Sequence, residues 1–212
     1  MNADERRFLS EAMLRIGGLG RTLYDWQMML QVRKAEEHDL NFLVWIDIKD
    51  EGVSSSYMAN WTDAEWAAHR LQIAAYISGD DKLAYVAEEA GSQRRVAGIY
   101  ADILHVPDIA NRWQMFQTIS TELFPEDGRF CAIFQLWVDP AYRRQGLGSR
   151  LKQLVEDEAA HRQVGAIYTH TEAVNEHVIA LNKKLGYREI YRGPMWDEIE
   201  RVALLKRLDG VG

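Results

Sequence analysis

A single cysteine among 212 residues excludes an internal disulfide. Cys131 lies in an apolar strand pattern with no histidine beside it in sequence, the setting of a packed thiol rather than a nucleophile. Long hydrophobic runs are also missing. No stretch approaches the roughly 18 apolar residues of a membrane-spanning helix, and the opening M-N-A-D-E-R-R-F contains acidic residues and no apolar run of the kind a secretory signal has. The cytoplasm is the expected location, with no membrane partner. Basic clusters are scarce: the formal net charge is −7, which argues against nucleic acid, whose phosphates are bound by clustered lysine and arginine. A cationic or amine ligand suits such a chain better, although a mildly acidic surface also serves solubility alone. The six histidines assemble no metal motif, since Glu158 and His161 give one E-x-x-H pair and no second pair completes a dinuclear site. Internal repeats and low-complexity segments are absent too.

What is present, 47% apolar and 27% charged residues, is enough to bury a core without staples. Residues 3–27 read as one or two helical pieces broken at Gly17, Gly18 and Gly20. Residues 1–29 are thus set apart as a helical extension, a packing arm, a dimer contact or a segment of little consequence, from a domain over 30–212. A first strand is expected over 28–35 and a helix from about Asp39. Thr62-Asp63-Ala64-Glu65 forms a capping box that opens a helix running to about Ser78. Residues 83–89 and 96–104 alternate as paired strands around a turn at Gly91-Ser92-Gln93. Between Pro107 and Pro125, apolar residues at helical spacing (Ile109, Trp113, Phe116, Ile119, Leu123) predict an inserted helix that packs on the sheet or lines a substrate. Strands are expected over 130–138, 166–171, 187–191 and 201–208, the last two joined by a loop with Gly193, Pro194 and Trp196. A helix before the sixth strand should end at Gly186, with Tyr187 folding back over its last turn.

Residues 134–151, F-Q-L-W-V-D-P-A-Y-R-R-Q-G-L-G-S-R-L, are the most informative stretch: a buried strand, a sharp turn, then a helix whose first turn is glycine-rich. A helix N-terminus leaves N–H groups without intrahelical partners and carries partial positive charge, so it attracts phosphate. Gly146 and Gly148 remove side chains that would hold a pyrophosphate away from the main chain, and Arg143 and Arg144 add charge. Two better-known phosphate motifs fail here. Leu151 stands where the dinucleotide fingerprint needs Gly or Ala, and no Lys-Ser/Thr pair follows the loop, so neither NAD nor ATP is favoured.

Arg143-Arg144-Gln145-Gly146-Leu147-Gly148 resembles the Q/R-x-x-G-x-G/A loop of the GNAT superfamily of N-acetyltransferases. The later block, strand 166–171, Asn175 and A-L-N-K-K-L-G-Y at 180–187, is similar to that family's second motif, in the same order and at about the same spacing. The resemblance covers roughly residues 30–208 and is specific after Phe130. It implies a mixed α/β fold: a central twisted mixed sheet of about seven strands, splayed between strands four and five and flanked by helices. It also implies acetyl-CoA as cosubstrate, no metal, and direct attack by a neutral amine, either a small amine or a protein N-terminus or lysine. The CoA contacts it implies are Leu136, Trp137 and Val138 on the fourth strand, Arg143, Arg144, Gln145, Gly146, Leu147, Gly148 and Ser149 in the turn, and Asn175 and Asn182. An N–H near Val138 would stabilise the oxyanion.

Two family positions are altered. The tyrosine that often protonates the thiolate falls at Asn182 and the glutamate that often acts as base falls at Gln135, and neither residue moves protons near pH 7. A thiol with a pKa of about 8.5 leaves without help, but an amine with a pKa near 10.4 must lose a proton. His170 is the preferred substitute base and Glu172 the second choice, both at the end of strand five, with an acidic limb in the pH profile expected near the ordinary histidine value of about 6.5. Tyr168, Tyr187 and Tyr191 are alternative acids. A non-catalytic sensor of acetyl-CoA or CoA, using the same pocket without a competent base, is the second reading, and an anion-binding module with no CoA role is the third.

Overall fold

The computed structural model describes residues 30–50, 60–109 and 119–208. The expected helical pieces over 3–27 and most of the inserted helix, residues 110–118, lie outside the described residues, as does the proposed boundary between extension and domain. The elements are β1 (Leu30–Lys34), α1 (Leu40–Asp50), α2 (Asp63–Ser78), β2 (Lys82–Glu89), β3 (Arg95–His105), β4 (Arg129–Val138), α3 (Leu147–His161), β5 (Ala166–Glu172), α4 (Glu176–Lys184), β6 (Arg188–Pro194) and β7 (Glu200–Arg207). They form a seven-stranded mixed sheet in the order β1-β2-β3-β4-β5-β7-β6. Among the described residues only β4 and β5 pair in parallel, which the α3 crossover between them makes possible, whereas the other neighbours pair antiparallel.

Alternation along the strands sends side chains to opposite faces. Cys131, Ile133 and Ile167 go to the face covered by α3 and α4, where Leu147, Leu151, Val155 and Ile179 pack on them. On the other face Leu43 and Ile46 of α1 and Ile73 and Tyr76 of α2 cover Val86, Tyr100 and Trp137. Beside them Phe130, Ala132 and Tyr168 are covered by Val106, Ile119 and Phe124. Among the described residues, no helix is long and apolar enough to cross a membrane.

Local signals fix several element ends. At the start of α2, Thr62 Oγ1 accepts from the Glu65 N–H at 3.3 Å and the Glu65 carboxylate accepts from the Thr62 N–H at 2.7 Å. Thr62→Ala is expected to cost about 1 kcal/mol, read as a small drop in melting temperature with the fold unchanged. α4 ends as its glycine predicts: Gly186 takes φ +92°, its N–H donates to Lys183 O and the Tyr187 N–H donates to Asn182 O. The last hairpin differs from expectation, since β6 continues through Gly193 and Pro194, leaving residues 195–199 as the connection.

Candidate functional site

β4 and β5 stay paired for only three steps, Cys131–Ile167, Ala132–Tyr168 and Ile133–Thr169. Beyond them β4 continues to Val138 against β3 and β5 continues to Glu172 against β7, so two strand edges face each other unpaired across a widening gap. A bulge opens it. Tyr100 pairs with Gln135 and Ala101 with Ile133, which leaves Phe134 as the extra residue on β4 and bends the strand. The Asp139 N–H donates to Val96 O on the β3 side. Alternation along the strand therefore turns the main-chain groups of Val138 and Leu136 to the other edge, into the gap.

The glycine turn sits at the end of that edge. Asp139 accepts from the Ala141 N–H at 2.9 Å, holding a 3-10 turn over Pro140–Tyr142. Arg143 Nε donates to Val138 O at 3.0 Å and Gln145 Nε2 donates to Ala141 O at 3.2 Å. Arg144 and Gly146 both adopt positive φ, +61° and +84°, to reverse the chain into α3. A Cβ on Gly146 would meet nothing within 4 Å, so that glycine answers to conformation and borders open space. A Cβ on Gly148 would lie 3.7 Å from Leu181 and 3.8 Å from Leu136 and Val138, at the mouth of the gap. Leu147 is buried beneath the turn, Gly148 and Ser149 are partly open, and Arg143 and Arg144 are exposed. The first intrahelical bond runs from the Arg150 N–H to Gly146 O, and the N–H groups of Leu147, Gly148 and Ser149 precede it at the positive end of the helix.

Across the gap, Asn175 Nδ2 donates to Thr171 Oγ1 at 3.2 Å, tying the end of β5 to the start of α4. Asn182 is buried on α4, and neither its Oδ1 nor its Nδ2 has a hydrogen-bond partner among the described residues. Buried amides are normally satisfied, so these two atoms call for a partner, whether ordered water or a ligand. Gln135 is engaged: its Nε2 donates to Ile46 O at 3.1 Å and its Oε1 accepts from the Leu136 N–H at 2.9 Å.

His170 and Glu172 lie two residues apart on β5, where the strand has left β4, and both are half-buried. The His170 ring meets Trp196 edge-on at 5.0 Å and Tyr168 at 6.0 Å, and its Nδ1 is buried with no hydrogen-bond partner among the described residues. Trp196 is held from behind by Arg201, whose guanidinium lies 4.0 Å over the indole and pairs with Asp197. Desolvation, with the Arg201 charge as the smaller cause, pushes His170 down to about 4. This corrects the limb expected near 6.5: the imidazole is neutral throughout the physiological range. The tyrosines offered as acids are engaged or deeply buried. Tyr187 donates to Glu156 at 2.9 Å, Tyr191 donates to Pro194 O at 2.8 Å, and burial raises Tyr168 far above its usual range. Cys131 is fully buried and pushed up to about 12, as a packed thiol should be. Glu158 of the E-x-x-H pair is taken by Arg162 and Lys34.

Sequence reading missed the Trp196–Arg201 cover over His170, because a hairpin tip carries no signal of what it folds against. It also missed a carboxylate on the same face as His170, Asp47 of α1, which lies 3.2 Å from His69 of α2.

The family model described as the acetyltransferase (GNAT) family matches residues 51–187. Over 57 residues the chain is 40% identical to the ribosomal protein bS18-alanine N-acetyltransferase of Escherichia coli strain K12, a match spanning 27% of this chain and 38% of that relative. The structure is similar to the ribosomal-protein-S18-alanine N-acetyltransferase from Escherichia coli with a TM-score of 0.57 at 20% identity, over 87% of this chain and 97% of the other. It is similar to Arabidopsis thaliana NAA60 in complex with acetyl-CoA with a TM-score of 0.63 at 17% identity, over 85% and 99% of the two chains. At these identities the structural likenesses establish a shared fold.

Proposed function

The chain belongs to the acetyltransferase (GNAT) family, and on that premise we propose that it transfers the acetyl group of acetyl-CoA directly to an amine, without a metal ion. The observation that carries this reading is the parting of β4 from β5 beside a glycine turn at the N-terminus of α3. A strand edge with no neighbouring strand, presenting the Leu136 carbonyl and the Val138 N–H, and free N–H groups at a helix end beside it suit a ligand with a pyrophosphate and an amide-bearing arm.

In this reading the N–H groups of Leu147, Gly148 and Ser149 hold the pyrophosphate, with Arg143, Arg144 and Gln145 at its rim. The Leu136 carbonyl and the Val138 N–H face the pantetheine arm, Trp137 between them has its main chain turned to β3, and the orphaned Asn182 amide takes up a polar group of that arm or the departing sulfur. The Val138 N–H stabilises the oxyanion, a contribution of about 3 to 4 kcal/mol in comparable acyl-transfer sites. His170 takes the amine's proton, with Glu172 as the second choice. A protein N-terminus is the acceptor that the name of the Escherichia coli relative favours, with small amines the other class.

Asn175 gives a graded test. Asn175→Ala is expected to weaken acetyl-CoA affinity by about 1 to 2 kcal/mol if the amide also reaches the pantetheine arm. A lowered melting temperature with unchanged affinity would confine its role to the Thr171 bond.

The engaged Gln135 side chain and the low basicity of His170 favour a second reading, a sensor that binds acetyl-CoA without turnover. Thiol release from acetyl-CoA, measured over a panel of small amines and N-terminal peptides, separates the two. Acetylated product supports the enzyme. Tight acetyl-CoA binding with no product from any acceptor supports the sensor.

A further inference from the structure

On the face of the sheet opposite α3, α1 lies directly over the β4 bulge. Gln135 donates to Ile46 O, and on the next residue of α1 the Asp47 carboxylate accepts from Tyr100 Oη, the hydroxyl of the residue paired with Gln135. Asp47 Oδ2 also lies 3.2 Å from His69 Nε2. Aromatic rings surround these groups: Tyr76 packs on Tyr100 at 4.4 Å and on Phe134 at 6.3 Å, while Trp61 and Trp66 meet the His69 ring edge-on at 5.2 and 6.5 Å. Phe134, the bulged residue, packs against this cluster and also against the cluster that contains Tyr168 and Met195. It therefore stands between the surroundings of Asp47 and those of His170.

We propose that Asp47, with His69 beside it, forms a subsite for a primary ammonium group on the acceptor, distinct from the amine that is acetylated. The chemistry is that of a carboxylate withdrawn from water. Among the described residues no lysine or arginine pairs with Asp47: the Lys49 ammonium lies over Trp45 at 4.3 Å, and Lys82 pairs with Asp102. Burial pushes the Asp47 carboxyl up to about 6, so it is mainly ionised above neutral pH yet poorly solvated. A charge left in that state gains from a cation arriving with three N–H donors, and the flanking aromatic rings add cation–π attraction. Its side chain keeps 12% of its surface open, and so does that of His69, which leaves an approach from outside. The reacting amine and the anchored ammonium would lie on either side of Phe134, so the acceptor carries two amines on a flexible chain. A diamine and a peptide with a lysine close to its N-terminus share that chemistry.

The proposal rests on the gap being the acetyl-transfer site, but its test does not need turnover. Protein saturated with CoA is titrated calorimetrically at pH 7.5 with 1,4-diaminobutane against butylamine, and with an Ala-Lys-Ala peptide against its norleucine counterpart. In at least one pair the dicationic member is expected to bind at least tenfold more tightly, and the pair that shows the preference identifies the source. Asp47→Asn, which keeps the shape and the Tyr100 bond, should remove the preference while leaving CoA affinity unchanged. As a check independent of any variant, the His69 ring resonances of the wild-type protein should shift with the dicationic ligand and not with its partner. Equal binding within both pairs, or a preference that survives Asp47→Asn, overturns the subsite. Dicationic preference without acetylated product would leave the subsite standing and remove the transferase reading instead.

Discussion

Replacing Gly148 with valine is expected to abolish acetyl-CoA binding, by about 100-fold or more in Kd, in a protein that still folds. Its Cβ would sit at ordinary contact distance, 3.7 to 3.8 Å, from Leu181, Leu136 and Val138. Alanine therefore fits the free protein. The two further methyl groups of valine press into the space between the first turn of α3 and the open edge of β4, at a stability cost of about 1 to 3 kcal/mol. A ligand must cross that space to have its pyrophosphate on the helix end and its arm along Leu136 and Val138. Gly146→Ala is a different perturbation, because its Cβ meets nothing but the backbone is held at φ +84°. It should distort the turn at about 1 to 2 kcal/mol without filling the pocket. Calorimetry on the three variants should rank Gly148→Val as the most damaging to binding, with Gly148→Ala intermediate and stable. If Gly148→Val binds acetyl-CoA as tightly as wild type, the turn does not hold the ligand.

Those glycines were legible because their meaning is local. A strand, a turn residue and a helix start within eighteen positions state a geometry that tertiary contacts have no room to change, and the same holds for the Thr62–Glu65 box and the Gly186 cap. The seven strands and the parting of the fourth from the fifth followed from the family resemblance together with alternation along each strand. The bulge at Phe134 was not legible, since no glycine or proline marks it and it exists only as an offset between β3 and β4. The Asp47–His69 pair joins two helices across 21 intervening residues, and spacing that long carries no pattern. His170 shows a third kind of loss. Its position on β5 was readable, but its basicity depends on Trp196 and Arg201, which arrive from a hairpin 26 residues later.

His170→Ala is expected to lower kcat/KM by about 100-fold or more while leaving acetyl-CoA affinity unchanged, because the ring serves only the acceptor's proton. Its environment decides how it can serve. A base held at about 4 lies roughly six units below a free alkylammonium near 10.4, so taking that proton before attack would be uphill by about 8 kcal/mol. The ammonium proton therefore goes to solvent, the amine attacks as the neutral form, and His170 takes the second proton from the nitrogen once it has bonded to the acyl carbon and become far more acidic. The wild-type profile of kcat/KM should accordingly show no inflection near 6.5 from this residue, and its histidine limb should lie near 4. The same depression has a stability consequence. The unfolded chain binds a proton at His170 near 6.5 and the folded chain near 4, so unfolding takes up a proton between those values and stability falls as pH drops from about 6.5 towards 4. His170→Asn should flatten that part of the melting-temperature profile relative to wild type. Removing the cover is the converse experiment. Trp196→Ala exposes the ring to water and should raise the histidine limb towards its ordinary value, because desolvation is the larger cause of the depression. A limb that stays near 4 in Trp196→Ala would assign it to another group. Near-normal turnover in His170→Ala beside an inactive Glu172→Gln would move the base two residues along the same face of β5.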